Sequence, residues 1–186
     1  MAKEKIRCSW CLKDDLYKSY HDEEWGTPLH DDQKLFELLC LEGAQAGLSW
    51  YTVLKKRENY RKAFDNFDAN KMAKYSAAKI EKLLLDEGII RNRLKVNAFV
   101  TNAKAYLAIK KEYGSFDKYI WQFVGGKPLK NSIKSMKDVA VKTELSDTMS
   151  KDLLKKGFKF VGSTICYAFM QASGMVNDHA NDCWKK

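Results

Sequence analysis

Glu42 stands where its chemistry fits least. It lies in the apolar run Leu38-Leu39-Cys40-Leu41-Glu42-Gly43-Ala44-Gln45-Ala46-Gly47-Leu48-Ser49-Trp50. A Leu-rich helix buries such a face, and a buried carboxylate is costly unless something pairs with it. Gly43 and Gly47 let the backbone pass close to another molecule or take positive φ. Ser49 can cap a helix that Trp50 opens. A carboxylate, a glycine-permitted turn and a large aromatic this close together suit a pocket for a flat, hydrogen-bonding ligand, neutral or cationic. The alternative is a Glu satisfied by a helix cap or an Arg, with Trp50 in the core.

A second constellation joins the two ends of the chain. His179 and Cys183 are spaced i, i+4 and share one side of a helix or turn. Near the other end stand Cys8, Cys11 and His21. Tetrahedral zinc takes four ligands from Cys and His. Two sets compete: Cys8, His21, His179 and Cys183, or Cys8, Cys11, His179 and Cys183. Cys8-Ser9-Trp10-Cys11 also has the spacing of a redox pair, but that reading needs a βαβ context the chain lacks. Unligated thiols and surface histidines are the remaining option.

A third feature is basic. Glu87-Gly88-Ile89-Ile90-Arg91-Asn92-Arg93-Leu94-Lys95 turns directly into a long helical pattern. A tight hairpin of this kind can offer backbone N–H groups to a phosphate, with Arg91, Arg93 and Lys95 beside them. An ordinary αα-hairpin is the alternative. The whole chain carries 33 Lys and Arg against 24 Asp and Glu, a net +9 with pI near 9.2. That balance favours a polyanionic partner, foremost nucleic acid.

The elements that must position these residues are helical. Asp31 and Asp32 cap a helix over about 33–43, and a second runs from Trp50 to about Phe64. Asp68 caps a short helix to about Tyr75, and Ser76 caps another ending near Gly88. The long helix after the hairpin stops at Gly114. Ser115 or Phe116 begins a short one through Trp121 to Val124. Residues 125–145 read as a polar loop with a brief helical turn. Ser146 caps a helix to about Lys156, and the most apolar helix spans Gly162 to Ser173. Cys8 to His30 is irregular and aromatic, and residues 1–7 form a charged tail. No strand shows convincing period-two alternation, so the expected class is all-α. At 186 residues and 45% hydrophobic, a single domain over 1–186 is expected. No apolar stretch reaches membrane-spanning length and no secretory leader is visible, so reduced cysteines in a cytoplasmic protein are expected.

Longer motifs then carry a resemblance. Cys8-x-Trp10, Tyr17-x-x-Tyr20-His21-Asp22-x-Glu24-Trp25-Gly26 and Leu41-Glu42-Gly43-x-Gln45-Ala46-Gly47-Leu48-Ser49-Trp50 resemble the bacterial 3-methyladenine DNA glycosylase I family. So do residues 52–61, Gly157-Phe158-Lys159-Phe160-Val161-Gly162 and Val176-Asn177-Asp178-His179. The resemblance runs from Cys8 to Cys183. It implies a helix–hairpin–helix fold, with the hairpin at about 87–95, and a structural zinc joining residues 8–21 to 179–183. The implied ligands are Cys8, His21, His179 and Cys183. It implies a base pocket of Glu42 with Trp50, Tyr20, Tyr17, Trp10 and Trp25, and a turn at Gly47 and Leu48 that enters the gap left in DNA. The implied reaction is hydrolysis of the N-glycosidic bond of 3-methyladenine in alkylated duplex DNA by a monomer, releasing the free base. The hairpin departs from the usual two-glycine form, since only Gly88 is present. No Asp occurs between Gly88 and Phe116. That absence argues against an Asp-driven mechanism and a lyase step, and leaves Glu42 as the carboxylate that matters. Two rival classes stand beside this. One is a zinc-stapled, non-catalytic DNA-binding protein, which would need neither Glu42 nor the aromatic cluster. The other is a broader alkylbase glycosylase with a shallow, Asp-driven site, which the missing Asp disfavours.

Overall fold

The computed structural model describes residues 5–186; residues 1–4 of the charged tail lie outside the described residues. Among the described residues ten α-helices carry the fold. They are α1 (Asp15–Glu23), α2 (Asp32–Gln45), α3 (Trp50–Leu54), α4 (Arg57–Ala63) and α5 (Ala69–Met72), then α6 (Ala77–Leu84), α7 (Arg93–Tyr113), α8 (Phe116–Trp121), α9 (Glu144–Lys155) and α10 (Ser163–Ala172). Two strands of two residues each, β1 (Leu129–Lys130) and β2 (Val176–Asn177), pair in parallel, with Leu129 opposite Val176. No described helix is long and apolar enough to cross a membrane.

The core lies around α2, packed between α7, α8 and α10, with fully buried Leu35, Phe36, Leu39, Phe116, Tyr119 and Phe169 at its centre. Nearly every helix start has the side-chain cap its sequence offers. Asp31, Ser49, Asp68, Ser76, Asn92 and Ser115 each accept from an N–H of the first turn. Gly114 ends α7 in the left-handed conformation.

The structure departs from the sequence reading in four places. The expected helix over 50–64 is two helices, α3 and α4, interrupted at Lys55 and Lys56. Lys56 uses its Nζ on the carbonyl of Glu87, 2.8 Å away, so the break anchors the basic hairpin. Residues 15–23, read as irregular, form α1, because Asp14 caps the Tyr17 N–H at 2.9 Å. Thr143, three residues before the expected cap Ser146, starts α9 through a reciprocal capping box with Ser146. The loop over 125–145 contains β1, too short for any period-two signal, and it ties the loop to the C-terminal segment.

Gly43 lies inside α2 and serves close approach, not positive φ. A Cβ there would come within 3.2 Å of Phe160, so the missing side chain lets the 157–162 segment pack directly on the helix.

Candidate active site and metal cluster

Glu42 lies on the last full turn of α2, only 3% exposed. Among the described residues no hydrogen bond or ion pair engages its carboxyl, and burial pushes its pKa from an ordinary 4.5 up to about 8. It faces a cavity of about 430 Å³. Trp10, Tyr17, Tyr20, Trp25 and Trp50 all line the same space. The five predicted aromatics are therefore brought together with Glu42. The rings brace each other: Trp10 lies 4.9 Å from Tyr17 and 5.0 Å from Trp25, centre to centre, and Tyr20 lies 5.4 Å from Trp50. Burial and the Glu42 charge raise the pKa of both Tyr17 and Tyr20, which keeps them as neutral hydroxyl donors.

Two polar atoms on this wall are buried without a protein partner, Trp50 Nε1 and Gln45 Oε1. A donor, an acceptor and a carboxyl left unpaired around one aromatic cavity mark a site built for a polar, planar guest. The sequence reading passed over Gln45 and also Asp178. The buried Asp178 accepts from Tyr167 Oη (2.7 Å), Gln171 Nε2 (2.8 Å) and Asn131 Nδ2 (2.8 Å). It thereby fixes the loop that forms the far wall. A polar residue directly before His179 was the available signal.

At the end of α2 the chain makes a tight turn. Ala46 has φ −48° and ψ 119°, Gly47 has φ +77°, and Leu48 N donates to Gln45 O at 2.7 Å. These are the angles of a type II turn, whose third position requires positive φ and so glycine. Leu48, 42% exposed, closes the turn as its fourth residue, between the cavity-lining Gln45 and Trp50 in the chain. Ser49 then caps α3, which delivers Trp50.

The hairpin between α6 and α7 is firmly built. Gly88 N donates to Asp86 Oδ1 (2.7 Å) and Ile90 N to Tyr60 Oη (3.1 Å), so these two amides are committed within the protein. Arg91 is exposed, 3.6 Å from Glu87. Arg93 makes a fork with Glu81. Lys95 is not a surface residue. It is 8% exposed, and its Nζ donates to Ala44 O (2.8 Å) and Ala46 O (2.6 Å). Its assignment to the phosphate-facing group is corrected on this ground: the first turn of α7 rotates it inward to the end of α2.

Cys8, His21, His179 and Cys183 form a buried cluster with all four donor atoms within 4.8 Å of one another. Cys183 Sγ lies 3.4 Å from His21 Nε2 and 3.6 Å from His179 Nδ1, and Cys8 Sγ lies 3.6 Å from His179 Nδ1. A tetrahedral zinc with two sulfur and two nitrogen ligands sets S···N edges of about 3.5 Å. The outer ring nitrogens are also held: His21 Nδ1 against Asp22 (2.8 Å) and His179 Nε2 against the Trp25 carbonyl (3.1 Å). Donor set, edges and outer contacts thus fit a structural zinc. Cys11 is outside the cluster; its thiol donates to the Cys8 carbonyl at 3.1 Å. Trp10 packs edge-on against His21 (5.4 Å) and Trp25 against His179 (4.6 Å), so the cluster and the aromatic wall share side chains.

The relatives of this chain agree with that geometry. The methyladenine glycosylase family matches residues 10–186. The DNA-3-methyladenine glycosylase of Haemophilus influenzae is 54% identical, over 95% of this chain and 96% of its own. DNA-3-methyladenine glycosylase 1 of Escherichia coli is 51% identical, over 95% of each. A solved variant of 3-methyladenine DNA glycosylase I in complex with 3-methyladenine superposes with a TM-score of 0.94, at 40% identity over 97% of both chains. A match of this extent, on a helical fold with an unpaired carboxyl in an aromatic cavity, establishes that the chain belongs to the methyladenine glycosylase family.

Proposed function

We propose that this protein excises 3-methyladenine from alkylated double-stranded DNA by hydrolysing the N-glycosidic bond, releasing the free base and leaving an abasic site. The observation that carries the reading is Glu42, a carboxyl buried without a partner among five aromatic rings. Adenine methylated at N3 within DNA is a cation. Its glycosidic bond is already weakened, and the base departs neutral, so little acid catalysis is required. What the protein supplies is extrusion of the nucleotide, discrimination of the base, and access for water to C1′.

Each part of the site has a task on this reading. Trp50 stacks on the cationic ring and gains roughly 0.5–2 kcal/mol of cation–π energy that neutral adenine forgoes. Glu42 ionises against the cation and accepts from its exocyclic amine. Tyr17 and Tyr20 offer hydroxyls to the base edge or to the attacking water. Trp10 and Trp25 complete the wall. Leu48, carried on the Gly47 turn, fills the gap left in the stack. Residues 87–95 act as the hairpin of a helix–hairpin–helix unit, with Arg91 only loosely paired to Glu87 and Arg93 held by Glu81 until a phosphate competes. With no Asp available between Gly88 and Phe116, the chain acts by hydrolysis without a lyase step. Cys8, His21, His179 and Cys183 hold a zinc that clamps the terminal segments behind Trp10 and Trp25; its chemistry is structural.

The test is to incubate methylated duplex DNA with the protein and identify the released bases by chromatography. Release of 3-methyladenine is expected; stable DNA binding with no released base would favour the non-catalytic reading.

A further inference from the structure

We infer that Lys95 is a positioning residue that sets the conformation of the Leu48 turn and couples it to the hairpin. The inference rests on the wedge role given to Leu48 above.

At the end of α2, Gly43 O accepts from Ala46 N and Gln45 O from Leu48 N, while among the described residues no backbone N–H donates to Ala44 O or Ala46 O. Lys95 takes both of these free carbonyls at once, Ala44 O on the helix and Ala46 O in the turn. An ammonium here also answers the negative end of the α2 dipole. The second contact has a specific consequence. Type I and type II turns differ by a flip of the peptide between the two central residues, here Ala46 and Gly47. The direction of the Ala46 carbonyl is what distinguishes them. With Nζ at 2.6 Å, Lys95 holds that carbonyl in the type II orientation. Nothing else among the described residues has a contact at Ala46 O, and the space around Gly47 is open on its outer side. Gln45 Nε2 reaches Leu48 O at 3.4 Å, a weaker second brace.

Lys95 sits on the first turn of α7, and its own N–H is capped by Asn92 at the end of the hairpin. The hairpin and the wedge turn therefore share one side chain. A duplex that docks on the hairpin at 87–95 meets a Leu48 already held at a fixed height. Neither Arg91 nor Arg93 can do this, since both face outward.

The experiment uses the full-length protein and a duplex with an abasic analogue opposite 2-aminopurine, whose fluorescence rises when a wedge unstacks it. Wild type, Leu48→Ala, Lys95→Met, the double variant Leu48→Ala with Lys95→Met, and Lys95→Gln are compared, with binding of free 3-methyladenine measured in parallel. Lys95→Met should lose most of the fluorescence rise, as Leu48→Ala does, and the double variant should lose no more than either alone. Affinity for the free base should stay within about twofold, since Lys95 does not line the cavity. Lys95→Gln, which keeps a donor for one carbonyl, should retain part of the rise and serves if the Met variant folds poorly. A normal rise in both Lys95 variants beside a lost rise in Leu48→Ala would overturn the inference alone. A normal rise in Leu48→Ala itself would remove the wedge reading and this inference with it.

Discussion

Glu42→Gln should make the protein more stable and less active, and the two effects should follow pH in different ways. Folding moves the Glu42 carboxyl from 4.5 to about 8 because burial disfavours its charged form. A carboxyl raised in this way binds its proton more tightly folded than unfolded. Stability therefore falls as pH climbs from 4.5, and the loss saturates above 8. With about 1.4 kcal/mol for each tenfold difference, ionisation costs about 3 kcal/mol at pH 7 and approaches 5 kcal/mol above pH 8. Gln cannot ionise. Near pH 4.5 both side chains are largely neutral and unpaired, and the two proteins should unfold alike. Their urea midpoints should separate steadily up to pH 8, with the variant more stable. Excision should move the other way. A unit charge about 4 Å from the cationic base gains about 4 kcal/mol in a partly screened site. Ionising Glu42 at pH 7 takes back about 1.4 kcal/mol. The remainder corresponds to a loss of roughly 100-fold in kcat/KM for excision at pH 7. Wild-type excision should rise between pH 6 and 8, while the variant's stays flat. Wild-type excision rates in Glu42→Gln, or a stability difference independent of pH, would refute this reasoning.

Elemental analysis should find one zinc per chain, and Cys8→Ser or His179→Ala should lower the melting temperature by several degrees; undenatured protein free of zinc would remove the clamp. DNA affinity should fall linearly on a plot of log K against log salt. Arg91→Ala should reduce that slope by about one, and Lys95→Met should leave it unchanged because Lys95 is buried. Leu48→Gly should slow excision from duplex more than from single-stranded DNA, since a wedge matters only where a stack must be opened; equal losses would assign Leu48 to packing. Gly47→Ala should act in the same direction, because φ +77° is strained for any side chain.

What was legible in the sequence follows the range of each signal. The Glu42 pocket could be read because a carboxylate in a Leu-rich run conflicts with burial within a single helix. Helix boundaries set by Asp31, Ser76, Asn92 and Gly114 could be read because capping is local. The choice between His21 and Cys11 as the fourth member of the terminal cluster could not be made from spacing. It depends on α1, which turns His21 inward while Cys11 bonds to the Cys8 carbonyl. Lys95 was misread for a related reason. In a basic run every lysine looks like a phosphate contact, and only the approach of α7 to the end of α2 determines which one is buried. The interruption at Lys55 and Lys56 and the pairing of β1 with β2 likewise arise from contacts remote in sequence.

The central claim is that an unpaired buried carboxyl reads the positive charge of the damaged base. It is tested most directly by calorimetric binding of two small molecules. One is an adenine methylated at both N3 and N9, a cation with methyl in place of the sugar. The other is neutral 9-methyladenine. The wild-type protein should prefer the cation by at least about 100-fold at pH 7.5, and Glu42→Gln should keep only the roughly 2- to 30-fold preference that stacking on Trp50 supplies. Equal affinity of the wild-type protein for both, or an undiminished preference in the variant, would contradict the account.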